Sequence, residues 1–157
     1  MENKTFPISF WRDEVGCKLR ERGLNAQVLA IYLLTCPHSN HSGLFYLTPN
    51  MTAHHTGLSE RVIRALVPVF EEIGFARWDL EHEVVWVVDA ALAVMNAQRV
   101  MAPSDLRLRA IRKEVKSVAH SPLALAFAEH YHTQIPLGRE LVADLRARHG
   151  ALAPHGA

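Results

Sequence analysis

Two arginines three residues apart, Arg61 and Arg64, follow Ser59 and Glu60 in the run Leu58-Ser-Glu-Arg-Val-Ile63. Wound as a helix at about 100° per residue, the segment puts Val62, Ile63, Leu66, Val67, Val69, Phe70 and Ile73 on one side. Arg61, Arg64, Pro68, Glu71 and Glu72 fall on the other. A guanidinium can pair bidentately with the major-groove edge of guanine. A helix that reads duplex DNA inserts its N-terminal half into that groove, and here that half carries both arginines. Ser59 and Glu60, at the helix start, are placed to touch a phosphate and a cytosine amino group. The plain alternative is a pair of core helices with two solvated arginines.

A second basic group lies further on. Arg109, Arg112, Lys113 and Lys116 stand at i, i+3, i+4 and i+7, on one side of a helix expected from a Ser104 cap to about Ala119. Leu108, Ile111, Val115 and Val118 take the other side. Such a stripe can lie along phosphates and gain affinity by counterion release. It can equally bind an acidic partner, the acidic residues of its own chain included, or be a solvated face. The chain carries 17 Lys/Arg and 16 Asp/Glu, a formal net charge of +1. That balance hides an asymmetry of −3 over residues 1–96 and +4 over 97–157. A nearly neutral chain lacks the broad positive field of a non-specific nucleic-acid coat, so any DNA contact must be local.

Other chemistries find less support. The 10 histidines raise the question of zinc, and Cys36-x-His38-x-x-His41 is the nearest approach to a site. It lacks the second ligand pair that a structural zinc needs, so no metal or cofactor is expected. Cys17 and Cys36 make no CxxC pair and read as free thiols. There is no Gly-rich phosphate loop, no GxSxG and no HExxH, so catalysis is not expected. No signal peptide is visible after Met-Glu-Asn-Lys-Thr, and no run nears the roughly 18 apolar residues of a membrane span. The expected location is the cytoplasm, with no membrane partner.

The elements that must hold these residues are legible. Thr48 caps a short helix with Pro49 at its first position, Gly57 ends it, Ser59 caps the next helix and Gly74 ends that. The expected helices are 49–56 and 59–73, with Pro68 kinking the second on its exposed side. Phe75-Ala-Arg-Trp-Asp79 and Val84-Val-Trp-Val-Val88 read as a hairpin around Leu80-Glu-His-Glu83, and Leu44-Phe-Tyr-Leu47 as a third short strand. The hairpin carries Asp79, Glu81 and Glu83 against Arg77. Phosphate would be repelled there, so the hairpin either points elsewhere or contacts protein. Upstream, a helix over 25–35 with Asn25 as cap belongs in the core, behind a shorter helix from Trp11 to Leu19. The C-terminal part reads as helical. Ser121-Pro122 starts one helix, with Leu123, Phe127 and Tyr131 aligned, and Arg139 to His149 forms another.

Helix, short strand, helix, helix, hairpin is the winged-helix order, an α+β arrangement that is mainly α. The ordered set Phe10-Trp-Arg-Asp13, Val28-Leu-Ala-Ile-Tyr-Leu-Leu-Thr35, Pro37-His-Ser-Asn40, Gly43-Leu-Phe-Tyr-Leu-Thr-Pro49, Leu58-Ser-Glu-Arg-Val-Ile63 and Val84-Val-Trp-Val87 resembles the N-terminal winged-helix domains of phage and prophage replication initiators, the replisome-organiser or O-like proteins. The resemblance covers about residues 5–96. It implies binding to double-stranded DNA at an origin and recruitment of the replicative helicase or its loader. The expected organisation is a winged helix-turn-helix domain at 1–96, a linker at 97–103, a helical region at 104–150 and a frayed tail at 151–157. Two further functions fit the same pattern. One is a transcriptional regulator whose C-terminal helices form a homodimer. The other is a protein-interaction module without DNA binding.

Overall fold

A computed structural model describes residues 8–94 and 100–150. Three of the expected linker residues, 97–99, and the expected tail lie outside the described residues. The fold is mainly helical with one three-stranded antiparallel sheet.

Local chemistry sets most helix boundaries. A 3-10 turn at Ile8–Trp11 precedes α1, Glu14–Glu21, because the Asp13 carboxylate accepts from Gly16 N at 2.7 Å and fixes the start there. The helix therefore begins after Trp11 rather than at it. Gly16 cannot carry a side chain: a Cβ would lie 1.6 Å from the Phe10 carbonyl oxygen. In α2, Leu24–Thr35, the expected Asn25 cap is not used. Gly23, at φ 97°, turns the chain into the helix, and no side chain caps it.

The next two helices start and stop where the caps place them. Thr48 Oγ1 accepts from Met51 N at the start of α3, Pro49–Thr56, and Gly57 closes it in the left-handed region at φ 75°. Ser59 Oγ accepts from Val62 N to open α4, Glu60–Ile73, and Gly74 closes it at φ 78°. Pro68 lies inside α4 on its exposed side, and the helix runs on as one element.

Three strands follow from the apolar runs: β1, Leu44–Tyr46; β2, Ala76–Asp79; and β3, Val84–Val87, in the spatial order β1-β3-β2. Leu44 pairs with Trp86, and Asp79 with Val84. Successive side chains of a strand point to opposite faces, and here both faces are covered. Phe45, Trp78, Val85 and Val87 pack with Leu29, Leu33, Ile63 and Phe70 from α2 and α4. Leu44, Val84 and Trp86 pack with Leu108, Ile111, Val115, Phe127 and Tyr131 from the C-terminal helices. This explains why Val84 to Val87 is a continuous apolar run: all four residues are buried.

After β3 come α5, Ala90–Val94; α6, Leu106–Ser117; α7, Pro122–His130; and α8, Arg139–His149. Asp105, not Ser104, caps α6. Its Oδ1 accepts from Arg107 N at 2.9 Å while its Oδ2 pairs with the Arg107 guanidinium at 2.6 Å. The helix ends two residues before Ala119. Ser121 caps α7 as expected, and α8 buries Leu141 and Leu145. Met101 is buried and donates its N–H to Gln134 O at 3.0 Å, so residue 101 belongs to the core shared by the sheet and the C-terminal helices.

Candidate nucleic-acid interface

The turn Gly57-Leu-Ser59 packs α3 against α4 and leaves the far side of α4 open. Arg61 is exposed and has no ion pair among the described residues. Arg64, one turn on, is also exposed but reaches back to Glu60, with Nη2 3.6 Å from Oε2. Their side chains are 51% and 43% exposed, so this is a loose surface pair that a phosphate or a base can displace. Glu60 also accepts from Asn50 Nδ2 at 3.3 Å, which ties the start of α4 to the first turn of α3. Ser59 lends its hydroxyl oxygen to Val62 N and keeps its O–H to donate. Sequence reasoning missed the part played by Asn50. A polar residue in the first turn of α3 was its only signal.

The acidic end of α4 is neutralised by its own chain. Glu71 pairs with Arg77 at 3.0 Å and Glu72 with Arg22 at 2.8 Å. The exposed side of the helix therefore offers Arg61 and Arg64 at one end and closed ion pairs at the other.

Of the hairpin carboxylates, Asp79 faces protein while Glu81 is exposed. Asp79 Oδ2 accepts from Ser121 Oγ at 2.6 Å and His82 Nδ1 at 2.7 Å, and its Oδ1 accepts from the backbone N–H groups of Glu81 and His82, each at 3.2 Å. Burial pushes this carboxyl up. The bonds from Ser121 and from the backbone and ring of His82, with the charge of that ring, outweigh burial and hold it below the usual value. Glu83, in the left-handed region at φ 57°, accepts from the Tyr46 hydroxyl. For Asp79, contact with protein is the observed outcome, and the contact is the cap of α7. An Asp bonded to both a His and a Ser resembles a hydrolase triad, but the order is wrong. The carboxylate sits between the other two, and the Ser121 hydroxyl is fully buried and donates to it. The group that accepts its proton is a carboxylate held below its usual value, a weak base for a hydroxyl.

The stripe on α6 is thinner than its spacing suggests. Arg109, Lys113 and Lys116 are exposed, with no ion pair among the described residues. Arg112 is half-buried and spent: Nη2 donates to the Pro136 carbonyl at 2.6 Å, and its Nε is buried without a partner. It fastens α6 to the loop before α8. Glu114, 17% exposed, accepts from Ser42 N at 2.8 Å and faces His41 Nδ1 at 3.2 Å. It fastens α6 to the loop before β1, and no sequence signal named that partner.

Cys17 is half-buried and Cys36 buried. Among the described residues no cluster of three or more His, Cys, Asp or Glu could hold a metal, and no helix is long and apolar enough to cross a membrane. Comparison with family models, with curated proteins and with solved structures finds no match.

Proposed function

We propose that residues 8–94 are a winged helix-turn-helix that binds double-stranded DNA, with α4 as the recognition helix and β2–β3 as a wing turned onto the C-terminal helices. One observation carries the reading. The N-terminal half of α4 presents Arg61, free of ion pairs among the described residues, beside the weakly held Arg64. Everything else that is charged on the helix is paired or tied back. The resemblance to phage replication initiators supports a cytoplasmic role in replication initiation or helicase loading. A transcriptional regulator shares the same DNA-reading step.

The test is a fluorescence-anisotropy titration of a cognate-genome duplex against a random duplex. Arg61→Ala or Arg64→Ala is expected to weaken cognate binding by about 1–3 kcal/mol and random binding by less. Unchanged cognate affinity in both variants would remove α4 as the reader. A second reading, a protein-interaction module, would then lead. The hairpin favours it, because Asp79 is held by the α7 cap and the turn carries Glu81 and Glu83 with no Lys or Arg for phosphate.

A further inference from the structure

The two basic surfaces lie on opposite sides of the molecule. The α4 helix packs on β2, on the sheet face of Trp78, Val85 and Val87. The α6 helix packs on β1, on the face of Leu44, Val84 and Trp86. Strands β1 and β2 are the two edges of the sheet. The helices are therefore diagonal to each other, separated by both the thickness and the width of the sheet. Helix, sheet and helix layers of about 10 Å each put their outer surfaces on the order of 30 Å apart. Arg61 and Arg64 point out of one layer, and Arg109, Lys113 and Lys116 out of the other.

Three contacts hold this arrangement together. Glu114 locks α6 to the α2–β1 loop through Ser42 N, Arg112 locks it to the loop before α8, and the Asp79–Ser121 bond locks the hairpin to α7. They hold the α6 stripe on the side of the sheet away from α4. Duplex DNA has a persistence length of about 150 base pairs, so one short segment cannot lie on α4 and also curl onto α6.

We infer that the chain holds two duplex segments at once, one read by α4 and a second held through its phosphates by Arg109, Lys113 and Lys116. This rests on the DNA-binding reading above. The α4 side is selective, because arginines at a helix N-terminal half reach base edges. The α6 side is blind to sequence, because lysines and an arginine spread along an exposed helix side meet phosphates rather than base edges. It contributes a salt-dependent grip of about three phosphate contacts. The protein would then act as a clip, bringing a recognised segment beside any other.

A bridging assay tests this. A short biotinylated duplex is fixed to beads, protein is added at low salt, and capture of a second, fluorescent duplex is measured beside binding to a single duplex in solution. Wild type is expected to carry the second duplex to the bead. The triple variant Arg109→Ala, Lys113→Ala, Lys116→Ala is expected to keep single-duplex binding through α4 and to lose capture by about tenfold or more. All three residues are exposed, and circular dichroism checks that the variant is folded. If wild type binds one duplex and captures no second, the inference fails and the DNA-binding reading stands. Capture by the triple variant at the wild-type level also overturns it, since bridging then comes from paired copies of the chain. If α6 binds polyglutamate while a second duplex is never captured, the face belongs to an acidic protein and the inference is again overturned. If wild type binds no duplex at all, the DNA-binding reading falls first and takes the inference with it.

Discussion

Arg112 and Lys113 are neighbours in sequence with different tasks. The Arg112 guanidinium ends on the Pro136 carbonyl, whereas Lys113 ends in solvent. Arg112→Ala is expected to lower stability by about 1–2 kcal/mol, read by urea denaturation, and to leave the salt dependence of DNA binding unchanged. Lys113→Ala is expected to do the reverse, leaving stability unchanged and reducing by about 0.9 the slope of log capture of a second duplex against log salt. Asp79 gives a second residue-level outcome. Its carboxyl is held below its usual value, so its contribution is present above the ordinary carboxylate range and lost as pH falls through the folded value. Ser121→Ala removes both that bond and the α7 cap, for a loss of about 1–3 kcal/mol near neutral pH. The gap between variant and wild type should narrow in denaturation curves taken below about pH 4. A gap that stays constant into acid would mean that Asp79 gains nothing from Ser121.

At the level of elements, Gly43 decides how β1 enters the sheet. It sits at φ 72°, and a Cβ there would lie 2.6 Å from Ala90 Cβ and 2.7 Å from the Val87 carbonyl oxygen. Gly43→Ala should destabilise the fold by more than about 2 kcal/mol, since it combines backbone strain with a clash against backbone. Thermal melting would show it, and an unchanged midpoint would refute it. The elements also show what could be read in advance. Helices α3, α4 and α8, the start of α7 and the hairpin follow from the sequence because their signals are local: Thr48, Ser59 and Ser121 as caps, Gly57 and Gly74 as stops. The starts of α1 and α2 do not. Trp11 belongs to a 3-10 turn set against Gly16, and Gly23 displaces Asn25 as the cap. Of the candidate site, the outward turn of Arg61 and Arg64 was legible from periodicity. The partners of Arg112, Glu114 and Asp79 lie 24, 73 and 42 residues away, and periodicity carries nothing over such distances.

At the level of the whole molecule, the sheet belongs to two cores. A chain ending at residue 94 would keep every element of the proposed winged helix yet uncover Leu44, Val84 and Trp86, which the C-terminal helices bury. It would also strip Asp79 of Ser121 and release the loop that Glu114 holds. Such a truncation is expected to bind hydrophobic dyes and to associate, as an uncovered apolar face does. A monomeric, cooperatively melting fragment would show that the first core suffices alone.

That shared sheet has a consequence for synthesis. Strand β3 can pair with β1 and β2 once Val87 has left the ribosome, but the helices that cover its second face end about 60 residues later, at His149. At about 5–20 residues per second, the nascent chain passes several seconds with Val84 and Trp86 facing water. During that interval the half-built sheet is a target for chaperones and for its own neighbours on the same messenger. Slow codons after residue 87 would lengthen it, and fast ones would shorten it.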